Sequence, residues 1–501
     1  MEKNRGRGAL ALLIVAAALS LSGCGGSSTS SQSSSAACAA ACYVSGSVSG
    51  LSGNENVKLE NNGGEKLTVA YNANDYFTFP TPQAAGSTYD VTVASHPPAV
   101  ACSVSNASGT LSSNVTDVAV SCVAGTERIL HSFAGGPSDG ADPNAGLIVD
   151  SAGNLFGTTD GGGAKDLGTV FEISPNGTET ILHSFAGGPT DGANPVAGLV
   201  MDSAGNLYGT TDGGGAKGQG TVFEISPNGT ETILHSFAGG TADGANPVAG
   251  LLMDSAGNLY GTTVNGGAKG LGTVFEIGRS GAEIILYSFA GGPGDGAHPQ
   301  SGLSMDLNGY LYGTTASGGA YGQGTVFTLN GNGTDYILHS FAGGTSDGAN
   351  PQGGVVVDGN TIYGTTANGG FLTSQNAGAS CVNSNGCGTV FGIPIDGGLS
   401  EYATHSFAGG PTDGEEPIGG LLLASNGNLY GTTYSGGSNP DGAGAVFEIS
   451  SAGETVLYSF AGGTTDGAGP NGGLVMDSAG NLYGTTEYGG AGGDGTVFEI
   501  N

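Results

Sequence analysis

Residues 43 to 123 alternate apolar and polar side chains in short runs that glycine, asparagine and proline separate. The runs are YVSGSVSGL, EKLTVAYN, DYFTFPTP, STYDVTVAS, AVACSVSNAS and VTDVAVSC. A period of two places alternate side chains on opposite faces of a strand, and turn residues at these intervals are typical of a small antiparallel sandwich. The pattern therefore predicts a separate β-sandwich module over 43–123, whose residues suggest no catalytic role.

A second pattern repeats from Glu127 to the C-terminus. The serines of the motif SFAGG fall at 132, 184, 236, 288, 340, 406 and 459. One unit contains four runs, GLVMD, NLYGTT, GTVFEIS and ETILHSF, which short Gly-, Asn- and Pro-containing turns connect. A period of about 50 residues with β-type runs predicts a propeller, a solenoid or an array rather than a helical fold.

The frame of the repeat distinguishes a ring from an open solenoid. The first repeat strand is of the ILHSF type, at 129–133, and the last is of the GTVFEI type, at 495–500. An open solenoid would leave both terminal units incomplete, whereas a ring lets strand 129–133 complete the last blade and removes exposed edges. The expected fold is all-β: a seven-bladed β-propeller with four strands per blade over 124–501, preceded by the small β-sandwich.

Aromatic residues follow the same repeat. Each unit has one in NLYGTT, one in SFAGG and one in GTVFEI. Because every unit keeps them in strand register, we expect them to pack between blades rather than to bind a ligand. Tyr321, Phe371, Tyr434 and Tyr488 lie in loops and are scattered candidates for ligand contact.

The first 42 residues differ in composition from the rest. Three basic residues precede an apolar stretch, ALALLIVAAALSLSG, which is too short for a comfortable membrane span. It ends in LSGC, which resembles the lipobox of bacterial lipoproteins. The resemblance implies a signal peptide over 1–23 and a lipid on Cys24, the alternative being an ordinary signal peptide with a chance cysteine. Residues 24–42 are rich in Ser, Ala and Gly and are expected to form a flexible tether.

The cysteines agree with export. Seven are present, and removing Cys24 leaves six, an even number that suits disulfides in an oxidising compartment. No Cys/His spacing indicates a zinc site. The candidate groups are Cys102 with Cys122, Cys381 with Cys387, and the pair Cys38 and Cys42, whose bonding stays open.

Charge limits the partners. The net charge is −32, from 42 acidic and 10 basic residues, so the surface should repel nucleic acid and anionic lipid headgroups and could attract cations. We expect a monomer of the bacterial cell envelope, exported and lipid-anchored, in the outer membrane if the cell is Gram-negative. Its expected contacts are the membrane through the N-terminal lipid and a glycan or an envelope protein.

The repeat units resemble the GloVer-type tandem repeat of exported bacterial "choice-of-anchor" proteins. The matching residues are GLxxDxxGNLYGTT, GGxxxxGTVF and LHSFAGG, and they cover nearly all of 127–501. The resemblance carries no established activity, so it implies no catalytic residue. Two departures stand out, Ala424 in place of the strand-end Asp and a long insert, FLTSQNAGASCVNSNGC, in the fifth unit.

Every repeat contains an Asp-Gly pair after SFAGG. A sevenfold cation site, with Ca²⁺ as the weakly indicated cofactor, is one interpretation, since carboxylates suit Ca²⁺. The favoured one is a turn, in which Asp bonds nearby backbone and Gly takes positive φ. No cofactor is otherwise expected. The residues are Asp139, Asp191, Asp243, Asp295, Asp347, Asp413 and Asp466.

The position three residues after this Asp varies, and in a propeller it should approach the channel mouth. Glu415 and Glu416 are the sharpest deviation, and paired carboxylates could bind Ca²⁺ unless they are merely solvated surface acids. The candidate ligand-face residues are Asp142, Asn194, Asn246, His298, Asn350, Glu415 and Glu416, with Gly469 at the same position in the last unit.

Five histidines share one strand position, but Tyr287 and Tyr458 replace them in two units, which favours packing over catalysis or metal binding. GGGAKG at 213–218 joins two strands rather than opening a helix, so a dinucleotide site is not indicated. No catalytic residue is predicted. We therefore expect a binding or scaffold protein that uses the Gly- and Asp-rich loop face. A polysaccharide lyase or glycoside hydrolase, or a purely structural envelope protein, remain alternatives.

Overall fold

The structure is a computed structural model. It describes residues 41–51, 56–70, 76–96, 100–124, 126–279, 281–330, 333–370, 386–395, 402–410, 413–439, 442–451 and 453–501. Over these ranges every regular element is a strand, and no helix is long and apolar enough to cross a membrane. The all-β prediction is confirmed. Cys24, Cys38, Cys381 and Phe371 lie outside the described residues.

Two four-stranded sheets form the N-terminal sandwich, in the orders β4-β1-β8-β6 and β3-β2-β5-β7. Their inward residues, such as Val44, Val118, Leu59 and Val91, share one buried core. The strands are β1 Val44–Ser49, β2 Asn56–Asn61, β3 Glu65–Ala70, β4 Tyr76–Thr78, β5 Thr88–Ser95, β6 Val100–Ser105, β7 Ser108–Thr110 and β8 Val115–Ala124.

The expectation of a fully antiparallel sandwich was wrong at one pair, because β1 runs parallel to β8. Strand β2 was also not anticipated, since its run NVKLEN has only two apolar residues among four polar or charged ones. Cys102 and Cys122 face each other across β6 and β8 and form a disulfide. Cys42 and Cys387 each take part in a separate disulfide as well.

Seven further four-stranded sheets follow along the described chain, each a meander of antiparallel strands. We number these blades 1 to 7 by their first strands. The first strands are Ile148–Val149, Val200–Met201, Leu252–Met253, Ser304–Met305, Val356–Asp358, Leu422–Leu423 and Val475–Met476. The second strands are Leu155–Thr159, Leu207–Thr211, Leu259–Thr263, Leu311–Thr315, Thr361–Thr366, Leu429–Thr433 and Leu482–Thr486.

The pairing of the third and fourth strands of each blade carries a bulge between Val and Phe of the third strand. The third strands are Thr169–Ile173, Thr221–Ile225, Thr273–Ile277, Thr325–Leu329, Thr389–Pro394, Ala445–Ser450 and Thr496–Ile500. The fourth strands are Glu179–Ser184, Glu231–Ser236, Glu283–Ser288, Asp335–Ser340, Tyr402–Ser406, Gly453–Ser459 and, for blade 7, Glu127–Ser132.

Short two-residue ladders connect the loops of each blade and were not anticipated from the sequence. They pair Gly140–Ala141 with Gly161–Gly162, Gly192–Ala193 with Gly213–Gly214, Gly244–Ala245 with Asn265–Gly266, Gly296–Ala297 with Ser317–Gly318, Gly348–Ala349 with Asn368–Gly369, Gly414–Glu415 with Ser435–Gly436, and Gly467–Ala468 with Tyr488–Gly489.

The first and last strands of the repeat region meet in blade 7. Strand Glu127–Ser132 pairs antiparallel with Thr496–Ile500, with Val497 opposite His131 and Ile500 opposite Glu127. The same joint continues to blade 1, because Thr485 Oγ1 donates a 2.8 Å hydrogen bond to the carbonyl of Ala145. An equivalent Thr reaches the next blade at every junction: Thr158, Thr210, Thr262, Thr314, Thr365 and Thr432.

Phenylalanines fill the space between blades. The Phe of SFAGG is fully buried and makes an edge-on contact with the Phe of GTVF in the following blade, as in Phe185 and Phe223 at 5.2 Å between centroids. The pair Phe133 and Phe171 makes the same contact between blades 7 and 1. This packing leaves the loops outside the core. The blades therefore form a packed support that presents the loops.

Candidate functional site

The varied position of the crossover loops sits in a fixed backbone frame. The N–H of Asn194 donates to the carbonyl of Leu167 in the preceding blade at 2.9 Å, and its own carbonyl accepts from the N–H of Asp212 at 3.0 Å. The same two bonds form in all seven blades. We call these seven residues the mouth ring: Asp142, Asn194, Asn246, His298, Asn350, Glu416 and Gly469.

Every mouth-ring residue adopts positive φ, from 54° at Asp142 to 65° at Gly469. This left-handed backbone favours Gly and, less strongly, Asn, Asp and His, and it penalises other residues by about 1–2 kcal/mol. Six of the seven residues therefore satisfy the backbone and need no ligand to explain them. Glu416 does not fit this preference, which makes it the informative member.

His298 still makes the contact that asparagine makes elsewhere. Its Nδ1 lies 3.0 Å from the carbonyl oxygen of Val264, where the amide of Asn194 donates to Asp160 at 3.2 Å. A carboxylate has no proton to donate there, and Glu416 instead accepts from Ser435 at 3.3 Å and remains exposed. The backbone alone therefore gives no reason for an acid in blade 6.

A second varied position follows each GTT motif and donates its N–H to the mouth-ring carbonyl of the same blade. Charged or aromatic residues occupy it in blades 6, 7, 1 and 2, whereas small apolar residues occupy it in blades 3 to 5. In blade order the residues are Asp160, Asp212, Val264, Ala316, Ala367, Tyr434 and Glu487. The variation is concentrated on one side of the ring.

Six residues of blades 6, 7 and 1 define what we call the tyrosine–acid arc: Glu416, Tyr434, Glu487, Tyr488, Asp142 and Asp160. Tyr488 donates a hydrogen bond to Glu487, and 46% of Tyr488 is exposed. Gly469 makes the arrangement possible, because a Cβ at this position would lie 3.1 Å from the ring of Tyr434 and 3.5 Å from that of Tyr488. Glycine at this mouth-ring position therefore gives space to two tyrosines.

The arc is electrostatically negative. Partial burial, followed by the charges of Asp494, Glu487 and Asp160, raises the pKa of Asp142 above its usual range. Burial and the neighbouring charge of Glu487 likewise raise the pKa of Tyr434. Since each added negative charge is disfavoured here, the arc is suited to hydroxyl groups or cations rather than to anions.

The Asp-Gly residues do not approach the mouth ring. Asp191 accepts from the N–H of Ala186 at 2.7 Å and from that of Gly192 at 2.7 Å, which are turn contacts. Its Oδ1 also lies 3.2 Å from Nε2 of His183 on the outermost strand. The structure therefore gives this Asp a role in the turn, at the periphery between blades, and the same turn contacts occur at all seven positions.

The remaining candidates lie apart from one another. Glu415 is half-buried, with Oε2 at 3.2 Å from Cys387 Sγ, so Glu415 and Glu416 do not share one environment. Tyr321 is 64% exposed on blade 4, remote in the ring order from Tyr434. Of the loop tyrosines, only Tyr434 and Tyr488 come together. In the sequence, the signal that could have identified this pair is that Tyr434, Tyr488 and Gly469 all belong to the junction of blades 6 and 7.

Ala424 is explained by a change of partner in blade 6. In blade 2, Asp202 accepts hydrogen bonds from Asn206 and Tyr208, whereas in blade 6 Glu448 accepts from Asn428 and Tyr430, each at 2.6 Å. Beside Ala424 lies a cleft of about 270 Å³, which Lys58 and His96 of the sandwich also line. The backbone N–H of His96 donates to the carbonyl of Ala479 at 3.2 Å, which ties the sandwich to the rim of this cleft.

A family model described as the Gloeobacter/Verrucomicrobia repeat matches residues 100–304 and 372–501, more than half of the chain. Among curated proteins no sequence matches. The match agrees with the resemblance found in the sequence and includes the blades that carry the tyrosine–acid arc.

Several solved structures are similar at low identity. Virginiamycin B lyase from Staphylococcus aureus is 13% identical, with a TM-score of 0.47, and the alignment covers 75% of this chain and 98% of that one. An extracellular domain attributed to a hybrid two-component system of B. thetaiotaomicron is 12% identical, with a TM-score of 0.46 and coverage of 84% and 44%. We draw no conclusion about activity from these likenesses.

Proposed function

Since the chain belongs to the Gloeobacter/Verrucomicrobia repeat family and folds as a propeller-like ring of blades, we propose that it is a binding protein of the cell envelope. Its tyrosine–acid arc would bind a glycan that is neutral or carries amino groups. Export and a lipid on Cys24 are part of the proposal, because they would hold the blades at a surface where glycans are abundant.

The observation that supports this proposal is the concentration of variation in the arc. A propeller selected only for packing has no need of Glu416, Tyr434 and Glu487 in place of the Asn or His and the small residues of blades 3 to 5. Tyrosine rings present a flat apolar face to the C–H face of a sugar. Carboxylates accept hydrogen bonds from sugar hydroxyls, and these contacts are stronger than neutral ones.

Charge narrows the ligand class. With a net charge of −32 and several acids in the arc, an acidic polysaccharide would meet repulsion both at long range and at the site. A neutral or amine-bearing glycan avoids this repulsion, and an amino group would gain a charge-assisted bond to Glu487 or Asp142.

A second candidate is a glycoside hydrolase or lyase at the same arc. The observation in its favour is the raised pKa of Asp142 beside other carboxyl groups, because paired acids with unlike pKa values can act as general acid and base. Asp142→Asn separates the two candidates: it should abolish turnover but not binding if the arc is catalytic.

The proposal is tested on a glycan array with the exported form of the protein. Binding of at least one neutral or amine-bearing glycan is expected, and Tyr434→Ala should weaken it roughly tenfold, because about 1.4 kcal/mol of stacking is lost. Tyr321→Ala is the matched control, since Tyr321 is also an exposed loop tyrosine but lies on blade 4. Equal loss in both variants, or no glycan bound by the wild type, contradicts the proposal.

Localisation is tested separately. Cys24→Ala should prevent incorporation of labelled lipid and release the protein from the membrane fraction. A Cys24→Ala protein that still carries the label would contradict the lipid anchor while leaving glycan binding unaffected.

A further inference from the structure

The outermost strands of neighbouring blades bring together a histidine and two carboxylates. His183 ends the fourth strand of blade 1, Asp191 lies in the crossover that follows, and Glu231 begins the fourth strand of blade 2. Nε2 of His183 lies 3.2 Å from Oδ1 of Asp191 and 4.0 Å from Oε2 of Glu231. The glutamate is the member that the sequence did not reveal, because it belongs to the next repeat.

The same cluster occurs at four of the described blade junctions, with one ligand atom from each residue within 4.8 Å of the other two. We call these the junction clusters. They are His131 with Asp139 and Glu179, His183 with Asp191 and Glu231, His235 with Asp243 and Glu283, and His405 with Asp413 and Glu454.

The glutamates are buried with an oxygen that lacks a partner. Only 10% of the side chain is exposed in Glu179 and in Glu231. Their Oε1 atoms are buried and have no hydrogen-bond partner among the described residues, and the same holds for Oε1 of Glu283 and Glu454. A buried carboxyl oxygen without a partner is costly, so a group that satisfies it would stabilise the fold.

We propose that the junction clusters bind a divalent transition-metal ion of the Zn²⁺ type, one per cluster. The ion would take the place of the proton between His183 Nε2 and Asp191 Oδ1, with Glu231 as the third ligand. Two ligand atoms at zinc-to-ligand distances of about 2.0–2.1 Å in a tetrahedral arrangement are separated by roughly 3.3 Å. The His-to-Asp distances of 3.2–3.3 Å in the clusters match this value, whereas the Glu oxygen lies 3.9–4.0 Å from Nε2 in three of them and would have to move closer on binding.

The donor set selects the class of metal. Imidazole nitrogen suits Zn²⁺ and neighbouring transition metals, whereas Ca²⁺ and Mg²⁺ prefer oxygen ligands alone. One nitrogen and two carboxylates leave at least one coordination position for water. Binding displaces the proton from Nε2 of the histidine, so occupancy should fall as the pH is lowered.

Two junctions provide natural controls. Tyr287 and Tyr458 replace the histidine, next to Asp295 and Asp466, and the hydroxyl of Tyr458 donates to Asp466 at 3.0 Å. These tyrosines keep the edge-on contact with the following Phe that the histidines make, at 5.1 Å for Tyr458 and Phe460 and 4.8 Å for His183 and Phe185. His→Tyr is therefore a substitution that the fold already accepts, and it removes the nitrogen ligand.

The experiment measures metal bound to the full-length protein after chelator treatment and dialysis against ZnCl₂. His183→Tyr should lower the number of ions bound per chain by one. The variant with His131→Tyr, His183→Tyr, His235→Tyr and His405→Tyr should lower it by four. With Co²⁺ as the probe, the wild type should show visible absorption of tetrahedral cobalt, which the fourfold variant should lose.

Tyr287→His is the gain-of-site control, because Asp295 and Asp335 already supply the two carboxylates at that junction. It should raise the number of ions bound by one. If the fourfold variant folds but binds as much Zn²⁺ as the wild type, or if the wild type binds none, the proposal is overturned. Glu231→Gln gives an independent check, since it should also lower the number by one while keeping His183.

Discussion

The blade framework and the mouth ring belong to the same repeats but obey different constraints. In the framework, the buried Phe of SFAGG, the Thr that bonds the next blade and the Asp of the turn occupy equivalent positions in every blade. In the mouth ring, the backbone demands positive φ everywhere, yet the residues range from Gly to Glu. At positions where packing determines the residue type, all seven repeats carry the same residue. At the mouth-ring positions packing does not determine it, so a residue that departs from the backbone preference indicates a requirement other than folding.

Removing the strand that completes blade 7 should destabilise the framework most severely. Deletion of residues 127–133 takes away the fourth strand of blade 7 together with Phe133, which is fully buried against Phe171. We expect a loss of stability larger than any single substitution gives, because one blade loses an entire hydrogen-bonded edge. Thermal unfolding followed by circular dichroism measures this loss. An unchanged melting temperature would contradict the conclusion that the first and last strands of the repeat region complete blade 7 together.

A matched pair of substitutions should separate the framework from the mouth ring. Phe185→Ala should lower the free energy of unfolding by about 3–5 kcal/mol, because it leaves a cavity between blades 1 and 2. Asn194→Gly, nine residues later in the sequence, should cost less than about 1 kcal/mol, because glycine accepts the same φ of 57°. Comparable losses in the two variants, measured by denaturant unfolding, would remove the distinction.

The framework should also respond to pH. Burial, then Asp295, raises the pKa of Asp335 to about 7, and burial, then Asp466, raises that of Glu127 to about 7. A raised folded pKa means that this contribution to stability is complete below the unfolded pKa of about 4 and is lost as the pH rises through about 7. The double variant Asp335→Asn and Glu127→Gln should therefore lose part of the destabilisation between pH 5 and pH 8.

We expect this difference to be about 1–3 kcal/mol after solvent screening is considered, in buffer containing EDTA. Asp117→Asn is the control, since Asp117 is an exposed acid of the sandwich. The interpretation fails if the double variant and the control have the same pH dependence of unfolding.

The sequence alone predicted much of this architecture and less of the site. Seven repeats with a shifted frame predicted that strand 129–133 would pair with 495–500, and the structure has Ile129 opposite Phe498. The repeat gave this long-range pairing because the other six blades are each built from consecutive residues, so the missing fourth strand of blade 7 could be assigned from its equivalents. The parallel pairing of β1 with β8 was not predictable in the same way, since no repeat relates the strands of the sandwich to one another.

Two features of the candidate sites were not predicted from the sequence: the contact of Glu231 with His183 and the backbone preference of the mouth ring. Glu231 lies near His183 because the end of the fourth strand of blade 1 approaches the start of the fourth strand of blade 2. A single repeat does not contain both residues, so it could not reveal this contact. The mouth-ring preference could have been noticed, since Asp, Asn and Gly are the residues that favour positive φ. Without the backbone φ angles, however, Asn194 and Glu416 look like alternative residues at one ligand-binding position. The φ angles show instead that Asn194 suits its left-handed backbone, whereas Glu416 does not.

The central claim is that Glu416 is retained for binding at some loss of stability. Glu416→Asn tests it most directly, because asparagine prefers the φ of 58° at this position and can donate to the carbonyl that its equivalents contact. Measured together, the free energy of unfolding should rise by about 1 kcal/mol and glycan binding should weaken. A variant that is less stable than the wild type, or that binds the glycan equally well, would contradict the account.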